Sequence, residues 1–153
     1  MIQRKQSIFM LATIACIILS FFFPQGTLGE GELVTTLTPY GLVDQFGVEV
    51  GQANSYFFYI PLTLALTVTF IALFNYAKRK AQMRWLQLTT LLLLISIVLQ
   101  ALYIYNTKST FEALPFSVGL GFILPVIGIV GVVLANRFIK KDEELVRSVD
   151  RIR

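Results

Sequence analysis

The 153-residue chain has no histidine and a single cysteine, Cys16. Without histidine there is no imidazole to ligate a haem or zinc ion, or to act as an acid or base near neutral pH. One cysteine cannot form an intrachain disulfide or a Cys-x-x-Cys redox pair. Charge is also scarce, at 14% of residues, where a soluble domain carries about 25%. What fills the space is apolar: 56% of residues are hydrophobic, against roughly 45–50% in a soluble domain. These departures point to one integral membrane domain over residues 1–153, with no room for a separate soluble catalytic domain.

Four apolar stretches carry that reading: residues 7–23, 57–76, 86–105 and 116–139. A bilayer core about 30 Å thick needs ~20 helical residues. Lipid supplies no hydrogen-bond partner to the backbone, so each stretch is expected to be a helix. The only formal charge in any of them is Arg137, close to the end of the fourth, where its head can reach the interface. The expected fold class is therefore an all-α membrane protein, a four-transmembrane-helix bundle.

Basic residues orient it. Twelve of the thirteen lie in the N-terminal residues, in loop 77–85, or from Arg137 to the C-terminus. Four spans place these three regions on one side, and basic segments stay cytoplasmic, so both termini are expected inside. The opposite loops hold Glu30, Glu32, Asp44, Glu49 and Glu112 against Lys108 alone. Tyr56, Tyr59, Tyr76, Trp85, Tyr103 and Tyr105 sit at span ends, as an aromatic belt requires. The net charge of +4 is a topology signal, not a nucleic-acid footprint, because the tail also carries Asp142, Glu143, Glu144 and Asp150.

The first stretch imitates a secretory signal, but its 17 apolar residues run into Phe21-Phe22-Phe23-Pro24 without a small-residue cleavage site. Apolar Ile17-Ile18-Leu19 after Cys16 argue against a lipoprotein. A retained helix is expected, with Cys16 an inert membrane-embedded thiol. Residues 24–56 form the one sizeable polar segment. β-Rich runs at Glu32–Thr38 and Leu42–Val50, with Pro39-Tyr40-Gly41 between, predict a small extracytoplasmic β-hairpin between helices 1 and 2. It is either a partner-docking element or a lid over helix ends.

Little in the spans could carry chemistry. The absence of buried ionisable groups counts against a proton-coupled pump, and no nucleophile–base pair can be assembled. No catalytic residue, metal site or cofactor is expected. Gln100 is the most polar residue deep in a span, and its amide needs an interhelical partner or a ligand. Thr63, Thr67 and Thr69 can bond back to their own helix. Asn75 and Asn136 can bond each other or water. Pro125 lies inside span four and should kink it. Gly121, Gly128 and Ala135 recur every seven residues there, and Gly131-x-x-x-Ala135 is a small-residue pair. That face lets backbones approach closely, in the bundle centre or at an oligomer seam. The cytoplasmic tail of residues 140–153 continues span four as an amphipathic C-terminal helix, with Phe138 at the span's end and Leu145, Val149 and Ile152 on one side, for docking or for the membrane surface.

The chain's two ends, Met1-Ile2-Gln3-Arg4-Lys5-Gln6 and the run Leu134 to Arg153 (LANRFIKKDEELVRSVDRIR), resemble those of a family of small bacterial four-span membrane proteins. That family is catalogued as a domain of unknown function, number 4293. The resemblance covers the whole chain and implies the four-span order but no activity, substrate or cofactor. It draws attention to tail residues Asp142, Arg147, Asp150 and Arg151 as candidates for partner binding. The expected function is a non-catalytic accessory or scaffold subunit of a bacterial inner-membrane complex, with a larger membrane protein or a second copy as partner besides the lipid bilayer. The alternative is a small oligomeric transporter or channel for an apolar or weakly polar solute.

Overall fold

A computed structural model describes residues 5–29, 34–38, 41–44, 46–51, 56–76, 78–110 and 115–150. Its described part is mostly helical: α1 (Lys5–Ser20), α2 (Tyr56–Phe74), α3 (Arg79–Thr110) and α4 (Leu120–Asp150). Three helices are long and apolar enough to cross a membrane, over Phe57–Phe74, Arg79–Ser109 and Leu120–Glu144, and α1 contributes a shorter apolar helix, Gln6–Ser20. Pro24 stops α1, after turns in which Phe22 and Phe23 donate to Leu19 O. Asn75 closes α2 by donating both its backbone N and its Nδ2 to Ile71 O, so it does not reach Asn136.

The helices bury polar side chains and expose apolar ones. Gln6, Thr13 and Ser20 of α1 are buried, as are Thr69 of α2 and Gln82, Thr89, Ser96 and Gln100 of α3. Phe57, Phe74, Val98 and Val130 are more than half exposed. A water-soluble bundle distributes these types the other way round. An apolar exterior of this extent is compatible with a surrounding bilayer.

Every helix buries a stripe with alternating steps of four and three residues, the spacing of left-handed helix packing. On α4 it is Gly121, Pro125, Gly128, Val132, Ala135 and Ile139. The stripes also correspond between helices. Gln6, Met10, Thr13, Ile17 and Ser20 of α1 match Gln82, Leu86, Thr89, Leu93 and Ser96 of α3 in spacing and polarity. Phe58, Leu62, Ala65, Thr69 and Ala72 of α2 match Gly121, Pro125, Gly128, Val132 and Ala135 of α4 in spacing. α1 packs on α4 much as α3 packs on α2, and α1–α2 and α3–α4 close the ring. The bundle is thus two similar helix pairs.

At one end lies an antiparallel sheet of five strands in the order β4-β3-β2-β1-β5: β1 (Gly26–Leu28), β2 (Thr35–Thr38), β3 (Gly41–Asp44), β4 (Glu49–Gly51) and β5 (Phe116–Val118). Leu28, Leu37 and Leu42 are buried, with Tyr103 and Ile104 of α3 and Phe116 packed against them. Three expectations are corrected here. The hairpin β2–β3 exists, but it is part of a larger sheet that takes β5 from between α3 and α4. The run Leu42–Val50 is not one strand. A turn in which Gly47 donates to Asp44 O splits it, and Gly47, at φ 76°, has the backbone that glycine adopts without strain. The fourth helix begins at Leu120, not at Phe116, because residues 116–118 pair with β1. Apolar composition alone does not separate a short strand from a helix's first turn.

Candidate functional site

The small-residue face of α4 is used inside the molecule, against α1. Ser20 Oγ donates to Gly121 O at 2.8 Å, and Thr13 Oγ1 approaches Gly128 O at 3.2 Å and Phe9 O at 3.0 Å. A Cβ on Gly121 would strike Phe23 O and crowd Gln25 Nε2. One on Gly131 would stand 2.5 Å from Thr13 Oγ1, whereas one on Gly128 would meet only ordinary contacts with Thr13, Cys16 and Leu93. Ala135 is fully buried in the core. Beside Gly121, Gln25 locks the sheet to the bundle. Its Nε2 donates to Ser20 O and lies 3.4 Å from Tyr59 Oη, its N donates to Leu37 O, and its O accepts from Gly119 N.

Gln100 is fully buried, yet neither Nε2 nor Oε1 has a partner, so the interhelical bond expected of it is not made. One turn on, the Tyr103 hydroxyl is also buried and unpaired. Gln100's matched neighbours do bond across helices: Ser96 Oγ donates to Phe58 O at 2.9 Å, and Gln82 Nε2 donates to Ala72 O at 3.0 Å. Thr63, Thr67 and Thr69 bond back to their own helix as expected, and Thr69 also reaches Thr89 Oγ1.

At the opposite end from the sheet, the first turns of α3 lie beside the last turns of α4. Arg79 Nη1 donates to Asp142 O at 3.3 Å. A cleft of about 380 Å³ opens between the two helices, bordered by Gln87, Thr90, Asn136, Arg137 and Lys140 over Met83 and Val133. A neighbouring hollow of about 310 Å³ shares Met83 and Gln87 and adds Lys80, Arg84 and Glu143. The two hollows together present four cations and one carboxylate, an excess of positive charge that favours an anion nearby.

Of the tail candidates, Asp142 is half-buried and engaged through its backbone. Arg147 and Asp150 lie on α4 with side chains outside the described residues, and Arg151 lies outside them altogether. Among the described residues, no three His, Cys, Asp or Glu side chains come together. Sequence reasoning missed Thr13, Ser20, Gln25 and Gln82. A signal existed for three of these: Gln6, Thr13 and Ser20 recur every seven residues in an apolar stretch, and so do Gln82, Thr89 and Ser96.

In comparison with known protein families, residues 2–152 match a domain of unknown function, DUF4293. No curated protein matches the chain.

Proposed function

Starting from the premise that the chain belongs to the DUF4293 family, we propose that it is a four-span protein of the bacterial inner membrane with both termini in the cytoplasm, serving as a non-catalytic accessory or scaffold subunit of a larger membrane complex. The observation that carries this reading is the length of α3 and α4. At ~1.5 Å per residue, 32 and 31 residues give helices about 46–48 Å long, against a hydrocarbon core of about 30 Å. The excess carries the charge, from Arg79 to Arg84 on α3 and from Arg137 onward on α4. Joined by the Arg79–Asp142 bond, the two helices form a stiff cytoplasmic platform, a surface suited to docking a partner. The small-residue face of α4 is filled by α1, so a partner would use another surface, such as the tail or the sheet.

Purification of the tagged full chain in mild detergent, after crosslinking in cells, should recover a stoichiometric larger protein. Recovery of a monodisperse bundle without a crosslinked neighbour counts against the proposal. One observation favours the solute-transport reading instead: Gln100 and Tyr103 hold unpaired polar atoms in the interior. Flux of a weakly polar solute into liposomes that is lost in Gln100→Leu would favour that reading over the accessory role.

A further inference from the structure

We infer that the cleft between α3 and α4 is a binding site for an anionic phospholipid of the surrounding bilayer, with the phosphate held by Arg84, Arg137 and Lys140 and an acyl chain lying along the groove above them. The inference rests on the membrane reading of the fold but not on the accessory role.

The cleft carries the chemistry of an amphiphile in the right order. Lys80, Gln87 and Leu94 recur every seven residues on α3, so they share a face and pass from cationic to polar to apolar. Lys140, Val133 and Val126 do the same on α4, from cationic to apolar. Leu94, Val126 and Val130 are exposed, leaving an apolar path above the polar end. The amides of Gln87 and Asn136 add hydrogen-bond donors beside the cations. Thr90 donates its own proton to Leu86 O, so its oxygen remains an acceptor for a headgroup hydroxyl. Basic clefts between membrane helices on the cytoplasmic side bind lipid headgroups in this manner.

The matched helix pair shows that packing does not need these residues. In the correspondence that aligns the buried stripes, Arg84 and Gln87 of α3 fall opposite Ile8 and Leu11 of α1, and Asn136 and Arg137 of α4 fall opposite Leu73 and Phe74 of α2. Ile8, Leu11 and Phe74 are exposed. At these four positions the described α1–α2 pair carries apolar side chains where α3–α4 carries two amides and two cations. A purely topological need for positive charge would be met by Lys78 and Lys141, which do not border the cleft.

The test titrates the detergent-solubilised full chain with phosphatidylglycerol or phosphatidylcholine and counts bound lipid by native mass spectrometry. The expected result is preference for phosphatidylglycerol, weakened about fivefold for each cation removed in R137Q/K140Q and, independently, in K80Q/R84Q. K78Q/K141Q removes the same charge outside the cleft and should change affinity less than about twofold. Glycerophosphoglycerol, the headgroup without chains, and inorganic phosphate should not displace the lipid. Equal loss in K78Q/K141Q, no preference between the lipids, or displacement by inorganic phosphate would each overturn the inference. Recovery of the chain in alkali-washed membranes is scored separately, so the membrane reading stands or falls on its own result.

Discussion

The hydroxyl of Ser20 in α1 donates to the backbone carbonyl of Gly121 in α4 at 2.8 Å, across about a hundred residues of sequence. This contact sets how closely the two helices approach at the sheet end. Gly121→Ala should lower stability by about 1–3 kcal/mol, because the new methyl meets the backbone carbonyl of Phe23, which cannot step aside. Gly128→Ala, with ordinary contacts only, should stay within about 1 kcal/mol of the parent. Thermal unfolding in detergent compares the two, and an equal effect would show that the approach is looser than described.

A second pair tests the same seam lower down. The methyl of Gly131→Ala would press on the Thr13 hydroxyl, a side chain that can be removed. Gly131→Ala alone should destabilise, and adding Thr13→Ala should recover part of the loss. A coupling of about 0.5–3 kcal/mol is expected from a double-mutant cycle. Strict additivity would mean that the two residues do not touch.

Gln100 and Ser96 lie one turn apart on α3 and should respond oppositely. Gln100→Leu removes a buried amide that has no partner, so stability should hold or rise. Ser96→Ala leaves the Phe58 carbonyl without its side-chain donor and should cost about 1–2 kcal/mol. Denaturation in detergent decides. A marked loss in Gln100→Leu would reveal a polar partner for that amide.

Cysteine labelling tests the proposed topology. In a Cys16→Ala background, Phe46→Cys lies in the turn between β3 and β4, where Phe46 is 79% exposed. It should react with an impermeant maleimide on intact spheroplasts. Lys141→Cys should react only after permeabilisation. The same response at both positions would contradict the three spans proposed between them.

Part of this was legible beforehand because it depends on neighbours in the chain. The threonines of α2 bond to carbonyls three or four residues back, so position alone predicted them. The β2–β3 hairpin followed from two β-rich runs joined by a turn. β5 was not legible, since Phe116-Ser117-Val118 becomes a strand only because β1 offers it an edge. Nor was the loneliness of Gln100, which depends on what stands opposite it.

The order of residues by itself determined which stretches are apolar, which ends carry charge, and that the chain is mostly helical. Those properties follow from local composition and from the backbone's need to satisfy its own hydrogen bonds. Only the tertiary structure decided that α4's glycines face α1, that polar side chains line the interior, and that donors and cations gather between α3 and α4. Such arrangements depend on close packing between segments far apart in sequence, and helical periodicity names a face without naming its partner.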